Sequence, residues 1–284
     1  MQRVIVMTLN CSRCSRKYVR ETWFNKHIPL CQQKPEQLKG QGCLTSGVKY
    51  EKKVHGILRK CYIGGQRFNT QNESELGGAS SKNDMQCNFG GLEDIGIEMK
   101  VKNTPDWMQC SIRYVDGQWR GTDKCKIPEK SKDIFDRLIS ELNLFENNVP
   151  PFMTRKMTHD EWLKEKKETK RWDDVYIDVP PDTISNLYRA KGCQYIQVSD
   201  GLGLYHTGED PCGFGVPYFN NQQQIRIRTK IHSRNNGTGH CAISLIAACQ
   251  PKRINDMEPS PYSLDDEMRL PPALIIGSPD DDNL

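Results

Sequence analysis

Two periodicities alternate along the chain. From Gly47 to Lys60 the apolar positions Val48, Val54, Ile57 and Leu58 recur at helical spacing, Cys61 continues the stripe and Glu51 lies on its border, which predicts an amphipathic helix. Ser131 to Asn147 repeats that pattern through Ile134, Phe135, Leu138, Ile139, Leu142 and Phe145. There Ser131 is placed to cap the helix and Pro150-Pro151 to end the segment. Thr158-His-Asp-Glu161 has the spacing of a capping box and opens a mostly charged helix reaching about Trp172. From Gly96 the period drops to two, with Ile97, Met99 and Val101 on one face and Glu98, Lys100 and Lys102 on the other. After Val175 the segments 175–179, 194–198, 204–206, 224–233 and 240–248 read as strands between Gly, Pro and Asn turns. Helices and strands intermix, so the expected class is α/β in the broad, α+β sense, a mixed sheet flanked by helices.

Composition narrows this further. With 284 residues, 36% hydrophobic and 27% charged, the chain can bury a core of its own. No apolar run approaches the ~20 residues that cross a bilayer, and the opening residues are too lightly apolar for a secretory segment. The expectation is an intracellular protein, cytoplasmic or nuclear, with no membrane partner and its twelve cysteines reduced. The formal charge of +4 conceals a gradient. Residues 1–60 hold 13 Lys/Arg against 3 Asp/Glu, and residues 255–284 hold 1 against 8. A basic front end suits a polyanion, because neutralised phosphates release counterions; a solvated basic linker is the alternative. The acidic, proline-bearing end from Asn255 is expected to be disordered. The divisions that follow are a finger at 1–34, a linker at 35–46, a body at 47–254 and a tail at 255–284.

Near the start, Cys11-x2-Cys14-x12-His27-x3-Cys31 spaces four soft or borderline ligands as one tetrahedral Zn²⁺ requires. Leu9, Tyr18 and Phe24 fall where the small apolar core of such a unit belongs. Residues 8–32 resemble a zinc finger of the two-cysteine, two-histidine family with Cys as the last ligand. The resemblance implies a metal that folds the segment, and a helix resting on nucleic acid through Arg13, Arg16, Lys17, Arg20 and Lys26. Fingers ending in Cys also serve as protein contacts.

The alternating strand carries the second candidate chemistry. Glu98 and Lys100 point the same way, one pleat apart, so a carboxylate able to hold a hard divalent cation stands beside an ammonium able to orient water. A second acid must share such a metal. Asp84 lies one strand and turn upstream, and Asp94, four residues before Glu98, competes for the role. Asp84-x13-Glu98-x-Lys100 resembles the active-site pattern of the PD-(D/E)XK nuclease superfamily. That resemblance implies a restriction-endonuclease-like fold over about residues 47–115, Mg²⁺ held by acids on adjacent strands, and a lysine serving the water. It also implies a helix acid, matched by Glu51, and a phosphate contact from Gln109.

Farther on, Arg226, Arg228, Lys230, His232 and Arg234 share one strand face, where they would either track a phosphate backbone or form a solvated surface over buried Ile residues. No Gly-rich phosphate loop with Lys-Ser/Thr and no Gly-x-Ser-x-Gly occurs, which disfavours P-loop hydrolysis and serine esterase chemistry. The expected function is Mg²⁺-dependent hydrolysis of double-stranded DNA, with the finger assisting and a homodimer as an open possibility. The rivals are a non-catalytic nucleic-acid-binding adaptor and a protein-interaction module.

Overall fold

The computed structural model describes residues 9–10, 17–18, 22, 25, 46–70, 83–89, 92–172, 174–235 and 237–277. The chain forms two units, residues 1–45 and 46–284. In the first, β1 (Leu9–Asn10) pairs antiparallel with β2 (Lys17–Tyr18), Leu9 opposite Tyr18. Cys11, Cys14, His27 and Cys31, together with Arg13, Arg16, Arg20 and Lys26, lie outside the described residues.

The second unit opens with α1 (Ser46–Leu58), followed by β3 (Cys61–Ile63), β4 (Gln66–Arg67), β5 (Asn69–Thr70), β6 (Met85–Phe89), β7 (Leu92–Lys100), β8 (Met108–Val115) and β9 (Gln118–Gly121). Three helices come next, α2 (Glu129–Glu141), α3 (Pro151–Thr154) and α4 (His159–Thr169), and then β10 (Val175–Val179), α5 (Thr183–Lys191), β11 (Cys193–Val198), β12 (Gly203–His206), β13 (Gln223–Ser233), β14 (Ala242–Pro251) and β15 (Ile275–Ile276). The class is mixed α+β. One five-stranded sheet, ordered β10-β13-β14-β8-β9, is antiparallel throughout; the other, β12-β11-β7-β6-β5, is mixed, because β11 runs parallel to β7. A three-stranded sheet, β15-β3-β4, stands apart.

The mixed sheet is covered on both faces. On one, Ile95, Ile97 and Met99 pack with Val54, Ile57 and Leu58 of α1. On the other, Ile196 and Val198 join the larger core, in which Phe135 and Ile139 of α2, Leu187 and Tyr188 of α5 and inward residues of β8, β13 and β14 meet. Alternate residues of one strand must face opposite ways, so β11 sends Tyr195 to one core and Ile196 and Val198 to the other. Among the described residues no helix is long and apolar enough to cross a membrane.

Several elements differ from the sequence expectations. Ser131 does not cap α2, which starts two residues earlier; it is fully buried in the first turn and donates to the Leu187 carbonyl at 3.0 Å. The apolar stripe suggested a helix to Asn147, but Asn143 adopts the left-handed conformation (φ 44°), and a short 3₁₀ turn at Leu144–Asn147 follows. There Phe145 packs edge-on against Trp119 and Trp172. The capping box at Thr158 and Glu161 is formed as expected. Cys110 and Cys125 are joined as a disulfide, so the expectation of reduced thiols does not hold for that pair; among the described residues six other cysteines are free.

The largest departure is the acidic end. Its composition suggested disorder over 255–284, yet residues 255–277 pack into the unit; residues 278–284 lie outside the described residues. Leu264 and Leu274 are buried, Asp265 accepts a hydrogen bond from Tyr50 at 2.9 Å, Glu267 pairs with Lys60, and β15 pairs with β3. Net charge misled because Asp265 and Glu267 find partners far away in the chain while the flanking Leu264 and Leu274 supply the apolar burial that ordering requires.

Candidate active site

The β6–β7 hairpin sets the geometry. Met85 pairs with Ile97 and Gln86 with Gly96, so the same register carried one residue further puts Asp84 opposite Glu98. Residues directly opposite in an antiparallel pair share a face. Asp84 is fixed there by the Met99 amide, which donates to its Oδ2 at 2.8 Å. With Ile97 and Met99 committed to the α1 side, Glu98 points the other way, toward α5.

Helix α5 stops sharply at Gly192, whose φ of 94° is a conformation that glycine adopts without strain. The chain turns straight into β11, which lies beside β7 with Ile196 opposite Glu98 and Val198 opposite Lys100. This turn leaves Lys191, the last helical residue, over β7. Its Nζ lies 2.6 Å from Glu98 Oε2, while Lys100 Nζ lies 2.6 Å from Oε1. Tyr188, one turn earlier, sets its ring 5.4 Å from the Lys100 ammonium and 5.8 Å from that of Lys191, within reach of a cation–π contact. Its hydroxyl donates to the Trp107 carbonyl at 2.7 Å. The Asn83 side chain donates to the Gly192 carbonyl and accepts from the Cys193 thiol at 3.1 Å, bracing the same corner. Gly96 is required there, since a Cβ would collide with the Gly192 carbonyl and the Asn83 amide.

Charge in this cluster is balanced but unevenly solvated. Glu98 and the Lys191 side chain are each 3% exposed, whereas the Lys100 side chain is 15% exposed and Asp84 is half-buried, so solvent approaches from their side. Burial opposes ionisation of Glu98, but Lys100 and Lys191 outweigh it and hold the carboxyl below its usual range. Burial likewise opposes the Lys100 ammonium, and Glu98, Tyr188 and Asp84 overcome it, keeping the amine charged. An ammonium so held donates hydrogen bonds and stabilises negative charge; it does not take up a proton. Asp84 goes the other way. Burial first, and then the nearby charge of Glu98, push its carboxyl up to about 6, against the pull of Lys100, Lys191 and the Met99 amide.

This shift has a sign. A carboxyl raised in the folded state binds its proton more tightly there than in the unfolded chain, so its contribution to stability is full below the ordinary carboxylate range and is lost as pH rises through about 6. Asp84→Asn is expected to flatten the fall in melting temperature between about pH 4 and pH 6 and to make the variant the more stable chain at pH 8. Thermal melts of both chains across pH 4–8 measure this, and parallel curves would contradict it.

The other predicted site residues lie elsewhere. Glu51 is buried on α1, which packs on the Ile97 and Met99 face, opposite to Glu98. Asp94 is exposed at the far end of β7, where it accepts from Gln86, so Asp84 and not Asp94 faces Glu98. Gln109 is on the exposed face of β8, in the antiparallel sheet, where it accepts from Arg228 at 3.4 Å. The basic row on β13 is largely neutralised from within. Arg226 pairs with Asp174 and Asp106 and Arg228 with Asp106 at 2.7 Å, while Lys230 and, just past the strand, Arg234 are exposed and have no ion pair among the described residues. Among the described residues no three His, Cys, Asp or Glu side chains come together as a metal-ligand group.

Sequence reasoning missed Lys191, Tyr188 and Asn83. A signal for the first two was available: Pro180-Pro181-Asp182 and Gly192 bracket nine residues in which Ile184, Leu187 and Tyr188 recur at helical spacing. No known family model matches this chain, and neither a curated protein nor a solved structure is similar to it.

Proposed function

We propose that the chain is a Mg²⁺-dependent nuclease that hydrolyses DNA phosphodiester bonds, of the PD-(D/E)XK, restriction-endonuclease-like kind. One observation carries this reading. Asp84 and Glu98 stand opposite each other on adjacent strands, and the Lys100 ammonium is 2.6 Å from Glu98. A one-residue change of register would have sent one acid to the opposite core.

The donor set fits a hard cation. Both acids are carboxylates, and the charge of Glu98 already raises Asp84, a repulsion that a divalent ion relieves. Asp84 and Glu98 would hold the Mg²⁺, with one of the two ammonium contacts of Glu98 giving way. When bound, the metal would supply Lewis acidity toward a phosphoryl oxygen and a more acidic water. Lys100, permanently charged, orients the attacking water and stabilises the negative charge that develops on the phosphate. Lys191 and Tyr188 hold Glu98 and Lys100 in position. The finger at residues 8–32, with Zn²⁺ on Cys11, Cys14, His27 and Cys31, would assist binding. Glu51 and Gln109 have no part in this reading.

The test is conversion of supercoiled plasmid by the full chain with MgCl₂ and with EDTA. Nicking that requires Mg²⁺ is the expected result. A folded chain that leaves plasmid intact with Mg²⁺ and with Mn²⁺ overturns the assignment. The second reading, a non-catalytic nucleic-acid binder, is favoured by the saturation of both Glu98 oxygens by lysine, which would make the cluster a structural ion network.

A further inference from the structure

The row on β13 that promised a phosphate track is occupied by internal acids, but a different cationic surface opens beside the carboxylate cluster. Helices α2 and α5 flank a cleft of about 690 Å³. Lys130 and Arg137 of α2 line it from one side and Arg189 and Lys191 of α5 from the other; Glu141 is the single acid on its wall. Lys130 and Arg137 are seven residues apart, so they lie on one face of α2, about 10 Å from each other along its axis. All three outer cations are exposed, and none forms an ion pair among the described residues. Arg189 is held by Asn186, which accepts from its guanidinium at 2.7 Å. Lys191 connects the two, since the residue lines the cleft and its buried ammonium pairs with Glu98.

We infer that this cleft carries the sugar–phosphate backbone of a nucleic-acid strand, with Lys130, Arg137 and Arg189 on phosphates of that strand and Lys191 marking where it meets the Asp84–Glu98 pair. Three unpaired cations against one acid suit a polyanion, and their spacing along α2 corresponds to about three phosphates of one strand at the rise of B-form DNA. The inference rests on the nuclease reading for the direction of the strand, and on charge and geometry alone for the binding.

The experiment is fluorescence anisotropy of a labelled 20-base-pair duplex with the full chain in EDTA, over a salt series. Arg137→Glu with Arg189→Glu alters two exposed side chains outside the carboxylate cluster. This double variant is expected to bind about ten-fold or more weakly at low salt, and its plot of log affinity against log salt should be shallower by about two. Lys230→Glu, an exposed charge on β13 away from the cleft, is expected to bind like the parent chain. Wild-type-like affinity and salt slope in the double variant overturn the inference. So does equal displacement of the duplex by polyglutamate, which would point to an acidic protein partner. Weakened binding in a chain that never cuts plasmid supports the cleft and overturns the nuclease reading alone; Mg²⁺-dependent cutting with unchanged binding does the reverse.

Discussion

Lys100→Ala is expected to cut plasmid about 10²–10⁴-fold more slowly than the parent chain, the range over which a positioned proton-handling or charge-stabilising group acts, while binding duplex unchanged. The separation follows from where the amine sits. It is held as an ammonium by Glu98, Tyr188 and Asp84, beside the carboxylates that would bind metal and away from Lys130, Arg137 and Arg189. Its loss should therefore remove charge from the transition state and not from the bound complex. The fold should survive, because Lys191 still pairs with the other oxygen of Glu98 and the site of Lys100 is open enough for water to replace the missing contact. A matched melting curve checks this, and a variant that melts like its parent yet cuts at the parental rate removes lysine from the chemistry.

The second large effect is on stability. Glu98→Ala is expected to cost about 3–5 kcal/mol, the usual consequence of removing one partner from a buried ionic contact. Here two ammonium groups lose their counter-charge together, and the Lys191 side chain is only 3% exposed. Removing both sides of that contact is a different matter. Glu98→Met with Lys191→Met should recover a good part of the loss, since an apolar pair of similar volume needs no counter-charge. Urea denaturation of the three chains measures it. A cost below about 1 kcal/mol for Glu98→Ala would mean that the lysines reach water when the acid is gone.

These two experiments separate what the cluster does for catalysis from what it does for folding. Both roles are carried by the same four charged side chains, so activity alone cannot apportion them. A chain that loses cutting at Lys100 while losing stability at Glu98 fits a site built on a structural ion network.

Much of the architecture was legible from local pattern. The alternation around Glu98, the stripe on α1 and the strands after Val175 are all set by neighbours in sequence, and the structure has them within a few residues. What escaped depends on distant partners. Whether Arg226 and Arg228 were free for phosphate turned on Asp106 and Asp174, 120 and 52 residues from Arg226 in sequence. Gln109 was implied by the nuclease resemblance as a residue downstream of Lys100, but the intervening turn takes it into the other sheet. Lys191 is separated from Glu98 by 93 residues, and only the parallel pairing of β11 with β7 brings them together. Composition failed at the acidic end for the same reason, because the partners of Asp265 and Glu267 are Tyr50 and Lys60, near the opposite end of the unit.

That last pairing also bears on how the protein is made. β3 comes early in the second unit, yet the strand that completes its small sheet, Ile275–Ile276, follows every other described strand of that unit. Contacts of such long sequence separation form slowly and late. The small sheet therefore cannot be completed before residues 275–276 are made, and until then the unpaired edge of β3 stays open to chaperones or to a strand of another chain.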